Sequence, residues 1–195
     1  MSDANWHITT LSADNQRMIE QAAGLLVEGF RTFAPNAWPN MSIALEEVHS
    51  MLGSDRVCLA AIDAQGTILG WIGGIRQYEG FVWELHPLIV AEKQRGKGIG
   101  TALVQALEQE VRLRGGITLW VGTDDEDDRT SLAGVDLYPD VLDALKQIRN
   151  LRRHPYEFYE KLGFVIVGVM PDANGCGKPD IYMAKRVCGE QRKQT

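Results

Sequence analysis

The chain reads as a single α+β domain with about seven strands. Three observations carry this. Short apolar runs, rich in β-branched and aromatic residues, recur between turn signals; two of them, Arg56 to Ile62 and Thr67 to Tyr78, flank Asp63-Ala64-Gln65-Gly66 as a hairpin would. Ile99, Leu103, Leu107 and Val111 recur every fourth residue and form one apolar helical stripe. No internal repeat and no linker divides the 195 residues, a length that suits one domain.

The elements follow in order. Trp6 to Leu11 alternates as a first strand, and Ser12 is positioned to cap a helix reaching about Phe30. Arg31 to Met41, with Pro35, Trp38 and Pro39, is a loop, and a second helix follows Ser42 and ends near Gly53. After the hairpin, Phe81 to Val90 is the fourth strand. The striped helix ends at Gly115-Gly116, Ile117 to Gly122 is a fifth strand, and five acids follow at Asp124 to Asp128. Tyr138 to Leu151 has helical character. Pro155 suits the first turn of a helix over Tyr156 to Leu162, which Gly163 stops. Phe164 to Met170 and Asp180 to Lys185 are the last strands. The domain spans 1–187, and 188–195 form a polar tail.

Composition excludes several classes. A net charge of −6 lacks the basic face that nucleic acids need, whereas it suits a cationic substrate. Cys58, Cys176 and Cys188 are odd in number and fit neither a zinc site nor a disulfide framework. The first residues lack a basic region followed by an apolar one, and no apolar run approaches the about 20 residues that span a bilayer. A cytoplasmic protein without membrane partner is expected. There is no Gly-x-Ser-x-Gly turn, His-Glu-x-x-His helix or Cys-x-x-Cys pair. A calcium loop is excluded because Arg129 stands where its glycine belongs, and no metal is expected.

The chemistry concentrates between Glu84 and Thr101. A strand runs into Arg95-Gly96-Lys97-Gly98-Ile99-Gly100, which opens directly onto the striped helix. Bare backbone N–H groups at a helix N-terminus bind phosphates, and glycines let an anion approach them. The segment is neither Gly-x-x-x-x-Gly-Lys-Ser/Thr nor Gly-x-Gly-x-x-Gly. On Arg95-x-x-Gly98-x-Gly100 the chain resembles the Gcn5-related N-acetyltransferases. That resemblance implies a diphosphate of acetyl-CoA, as cosubstrate, held by Leu88, Ile89, Val90, Arg95, Gly96, Lys97, Gly98, Ile99, Gly100 and Thr101. It also implies a mixed, mostly antiparallel central sheet flanked by helices, with strands 4 and 5 splayed around the pantetheine arm. Taken alone, the motif also fits, less well, a glycine-rich turn that binds nothing.

Upstream, strand alternation puts Glu84, His86, Leu88 and Val90 on one face and Trp83, Leu85 and Ile89 on the other, barring a bulge. Pro87 cannot complete a ladder. Acetylating an alkylamine requires removal of its proton, because such amines are largely charged at neutral pH. Glu84 and His86 suit that task; each alone also suits a structural role. Pro155-Tyr156-Glu157-Phe158-Tyr159-Glu160-Lys161-Leu162-Gly163-Phe164 resembles a second stretch of the same family. There the tyrosine matching Tyr159 sits near the cofactor sulfur and is the proposed proton donor to the thiolate. Core packing is the alternative for Tyr159. Arg152 stands where many members have an asparagine bonded to pantetheine; Asn150 is nearby but out of register.

From about Gly70 to Arg186 the chain is similar to aminoglycoside 6′-N-acetyltransferases, on Trp83-Glu84-Leu85-His86-Pro87-Leu88, Arg114-Gly115-Gly116-Ile117-Thr118, Gly122-Thr123-Asp124-Asp125, Asn150-Leu151-Arg152, His154 to Tyr159 and Pro179-Asp180-Ile181. This implies Glu84 as base, backbone at His86 and Leu88 polarising the thioester carbonyl, and a homodimer. An acceptor cleft lined by Asp124, Asp125, Asp136 and Asp180 would attract a small polycationic amine, with Trp38 and Tyr78 as apolar walls. A mobile, solvated acidic loop is the alternative for the run Asp124 to Asp128. Two other functions remain open: acetylation of a different amine (a polyamine, metabolite or peptide) and a non-catalytic coenzyme A sensor.

Overall fold

The structure is a computed structural model that describes residues 5–32 and 34–188; the expected polar tail beyond Cys188 lies outside the described residues. Seven strands form one sheet in the order β1-β2-β3-β4-β5-β7-β6. They are β1 (Trp6–Thr10), β2 (Arg56–Asp63), β3 (Ile68–Gln77), β4 (Val82–Val90), β5 (Thr118–Asp124), β6 (Val165–Met170) and β7 (Asp180–Arg186). The pairs β1/β2, β2/β3, β3/β4 and β6/β7 are antiparallel. The helix joining β4 to β5 lets these neighbours run parallel, as a crossover connection requires. The sheet is therefore mixed and mostly antiparallel, as the resemblance implied. The described residues form two compact units, one running to Leu119 and taking in Val187 and Cys188, the other Trp120–Arg186.

In the first unit, helices α1 (Gln16–Phe30) and α2 (Met41–Ser50) cover one side of the sheet. Ile19, Ala22, Ala23 and Leu26 of α1 pack with Ala44 and Val48 of α2 against Cys58, Ala60, Trp71 and Ile89. The buried Trp71 indole donates to the Ala22 carbonyl oxygen at 3.1 Å, so its polar atom is satisfied inside the core. Helix α3 (Ile99–Leu113) covers the other side, and all four stripe residues are buried. Gly74 lets it approach, since a Cβ there would meet Leu107 Cδ1 at 2.6 Å.

Both N-terminal caps differ from the expected ones. Asn15, not Ser12, accepts from the Met18 N–H at 3.1 Å and starts α1. Asn40 accepts from the Ile43 N–H at 3.1 Å and starts α2 before Ser42. In each case the asparagine stands three residues before the donor it satisfies, the geometry of an N-cap. Asp63 closes the hairpin as expected, its Oδ1 accepting from the Gln65 and Thr67 N–H groups, each at 2.9 Å.

In the second unit, the helix expected over Tyr138 to Leu151 shrinks to α4 (Val141–Lys146). The chain after it is drawn into a bridge between Asn150 and Thr130, which competes with further helical turns. Helix α5 (Tyr156–Lys161) begins after Pro155, and Gly163 follows it at φ +86°.

Candidate active site

The first unit contributes the phosphate-loop candidate and the β4 acids and bases. Between β4 and α3 the backbone turns at Gly96 (φ +78°) and Gly98 (φ +83°), both in the left-handed region that favours glycine. Gly98 is the residue at the α3 cap position, and no side chain caps that end. A Cβ at Gly96 or Gly98 would meet nothing within 4 Å, so the face above the helix N-terminus is open. Arg95 and Lys97 are exposed there; Arg95 Nε donates to the Val90 carbonyl at 3.3 Å, and Lys97 Nζ to Gln94 Oε1 at 2.9 Å. An open N-terminal cradle flanked by two cations fits a diphosphate. Ile99 is buried in the core beneath the loop, and Gly100 and Thr101 form the first helical turn.

On β4 the pairing with β3 slips. Leu88 faces Ile72 while Leu85 faces Gly74, so β4 carries one extra residue at His86-Pro87. This is the ladder failure that Pro87 leads one to expect. It also corrects the expected faces. Glu84 pairs with Ile75, which packs on the side of α1 and α2, whereas Leu88 pairs with Ile72 on the opposite side. Glu84 and Leu88 therefore do not share a face, because the bulge reverses the alternation between them. At the bulge the His86 carbonyl presses on Gly73, where a Cβ would come within 2.2 Å of its oxygen.

Glu84 is half-buried, and its Oε2 accepts from Gln77 Nε2 at 2.6 Å. The His86 ring turns toward α2, with Nε2 3.5 Å from Glu47 Oε1 and its centroid 6.0 Å from the Trp38 ring. Trp38, expected as an apolar wall, packs edge-on to Phe30 at 4.5 Å. The His86 hydrogen bond is the largest of the effects that hold the Glu47 carboxyl below the usual range, against an opposing contribution from burial. Sequence reasoning missed Glu47, which lies in an ordinary helix with no motif around it. Tyr78, the other expected wall, is 75% exposed at a turn with φ +45°.

The second unit holds Tyr159 and the acids. Tyr159 is buried, with its ring 5.1 Å from Phe158 and 5.5 Å from Phe164. Burial pushes its phenol well above the ordinary tyrosine value, so it stays protonated at any working pH.

The acidic run is not a uniform charged loop. Asp125 is fully buried, and its two oxygens accept from the N–H groups of Arg129 and Thr130 at 2.7 and 2.8 Å. With both oxygens committed to backbone, Asp125 staples the loop and is not presented to a ligand. Asp127 pairs with Arg129 at 2.6 Å. Asp124 is exposed and accepts from Asn174 Nδ2. Asp136 is exposed and caps a turn through the Tyr138 N–H at 3.0 Å. Asp180 is half-buried at the start of β7, in space that Gly122 leaves open; a Cβ there would meet Asp180 Oδ2 at 2.7 Å.

Asn150 is used locally. It accepts from the His154 N–H at 2.8 Å and donates to the His154 carbonyl at 3.0 Å. His154 is buried, and burial holds its imidazole below the ordinary histidine value.

The chain is similar to several known proteins. The sequence profile of the acetyltransferase (GNAT) family matches residues 25–133. An aminoglycoside 6′-N-acetyltransferase crystallised with coenzyme A is 44% identical, covers 94% of this chain and 98% of its own, and superimposes with a TM-score of 0.85. The aminoglycoside 6′-N-acetyltransferase of Enterococcus faecium is also 44% identical over 94% of this chain and 98% of its own, with a TM-score of 0.84. A curated L-methionine sulfoximine/L-methionine sulfone acetyltransferase of Pseudomonas aeruginosa is 43% identical over 60 residues, which are 29% of this chain and only 35% of that protein's length. With the profile spanning more than half of its residues, this chain belongs to the GNAT acetyltransferase family.

Proposed function

We propose that the chain transfers the acetyl group of acetyl-CoA to a primary amine, and that the acceptor is the 6′-amine of aminoglycosides. The observation that carries this reading is the 44% identity, over 94% of the chain, to an aminoglycoside 6′-N-acetyltransferase that binds coenzyme A. Acetyl-CoA supplies an acetyl group activated as a thioester. The open cradle at Gly96 and Gly98, with Arg95 and Lys97 beside it, is the seat for its diphosphate. Leu88, Ile89 and Val90 line the strand side.

Each remaining residue has a role in this reading. Glu84, oriented by Gln77, takes the proton of the incoming ammonium, with His86 assisting through water. Backbone N–H near Leu88 polarises the thioester carbonyl. Tyr159, a phenol that carries its proton at neutral pH, donates to the departing thiolate. Asp124, Asp136 and Asp180 attract the polycation, and Trp38 bounds the acceptor. The reading extends to a cytoplasmic homodimer; Val165, Val167 and Met170 are exposed along β6.

The test is thiol release from acetyl-CoA by purified protein. Aminoglycosides with a 6′-amine are compared with matched compounds bearing a 6′-hydroxyl, together with spermidine, a lysine peptide and L-methionine sulfoximine. Release with the 6′-amine compounds alone supports the reading. Release with spermidine or peptide alone keeps acetyl transfer and discards the acceptor. The curated relatives favour one second reading, an amino-acid analogue as acceptor, and release with methionine sulfoximine alone would support it.

A further inference from the structure

The geometry points to Glu47, a residue outside every sequence motif, as the positioning residue for His86; the inference rests on the functional reading above, in which His86 handles a proton of the amine. Helix α2 brings the Glu47 carboxylate to 3.5 Å from His86 Nε2, on the side of the sheet opposite Leu88. The Glu47 side chain is 24% exposed against 40% for His86, so the carboxylate sits deeper than the imidazole and the ring's outer edge faces solvent. The Trp38 ring stands 6.0 Å from the imidazole, tilted by 41°. The indole thus flanks the ring that the carboxylate holds.

The backbone of His86 is fixed independently. Its carbonyl fits against Gly73 of β3, at the bulge opposite that strand. The backbone is thus held on one side and the ring meets a carboxylate on the other. A carboxylate on Nε2 keeps a hydrogen on that nitrogen and stabilises the imidazolium when a proton arrives, the service that a carboxylate gives to histidine bases in general. Charged groups near this pair include Glu47 from α2, Glu84 on β4 itself with its Oε2 on Gln77, and Arg56 of β2, whose charge acts on Glu47. From β3, Gly73 contributes backbone only.

The rival is a pair that merely ties α2 to the sheet, and NMR titration joined to a pH–rate profile separates the two. The chain has four histidines, so the His86 signals are assigned by their loss in His86→Asn. In Glu47→Gln the His86 midpoint should fall by roughly half to one pH unit, and Glu47→Asp, which keeps the charge, should recover part of that shift. The acid limb of kcat should move to lower pH by the same amount, with KM for acetyl-CoA unchanged. An unmoved midpoint in Glu47→Gln overturns the pairing. A moved midpoint with an unmoved limb overturns the positioning role and leaves a structural tie. Absence of transfer by the unsubstituted protein overturns the functional reading instead, and is distinguished because it appears before any substitution.

Discussion

The imidazole of His154 donates from Nε2 to the carbonyl oxygen of Asp124 at 3.1 Å, while its Nδ1 accepts from the Tyr156 N–H at 3.3 Å. Both ring nitrogens are engaged by backbone, which selects the neutral Nε2–H tautomer. Through this ring the start of the acidic loop is tied to the first turn of α5. Tyr159 lies one turn further along that helix.

Protonation of His154 breaks this arrangement, because Nδ1 then has no lone pair for Tyr156. Burial lowers the folded-state value below the ordinary histidine value of about 6.5. The unfolded chain therefore binds the proton first. The stability that His154 contributes is present above about pH 6.5 and is lost as pH falls through the folded-state value. Melting temperatures of the native protein and His154→Gln, compared from pH 7.5 to 5.5, should converge as the pH falls.

Asp125 is the second fixed point of the same loop. Removing its carboxylate leaves a buried and a partly buried N–H group without acceptors. Asp125→Ala should destabilise the protein by about 3 kcal/mol, the sum of two hydrogen bonds to a charged group. Asp124→Ala, at an exposed carboxylate, should cost less than about 1 kcal/mol and act on the KM of a polycationic acceptor instead. Denaturant unfolding and steady-state kinetics of the two variants check the contrast.

Gly73 and Gly24 should respond oppositely to alanine. At Gly73 the new methyl would lie 2.2 Å from the His86 carbonyl oxygen and 2.4 Å from Met51 Cε. Strand β4 must shift to admit it, so Gly73→Ala should lose both stability and turnover. At Gly24, inside α1, a Cβ meets nothing within 4 Å. Gly24→Ala should stabilise by about 0.5–1 kcal/mol, since alanine restricts the unfolded chain and favours the helix. Thermal unfolding of both variants is the measurement.

Gly98 tests the cradle. Alanine there is strained at φ +83° and puts a methyl in the open space above the helix N-terminus. Gly98→Ala should raise KM for acetyl-CoA about tenfold, the consequence of roughly 1.4 kcal/mol of strain and steric loss. The KM of the amine should be unchanged. Asparagine, which tolerates the left-handed region, should weaken binding with less loss of stability than alanine.

Local chemistry made much of this protein legible from sequence. The stripe at Ile99, Leu103, Leu107 and Val111 and the hairpin at Asp63 depend on neighbours a few residues apart, and both form as read. The glycine loop before α3 and the pairing failure at Pro87 are likewise properties of short segments. Other features depend on partners distant in the chain. Which asparagine caps α1 or α2 is settled by helix phase against the core, and the helix expected to reach Leu151 ends early because Asn150 pairs with Thr130. No spacing rule announces that Asp125 turns inward to two amides while Asp124 stays exposed. Nor does one bring Glu47 to His86, 39 positions along the chain. Sequence by itself determined the elements, the phosphate-loop candidate and the reactive residue types, since backbone preference and residue chemistry are local. Only the tertiary structure decided which acid faces a ligand, which one folds a loop and which one holds a histidine, because packing sets burial and burial sets the partners that a charge requires.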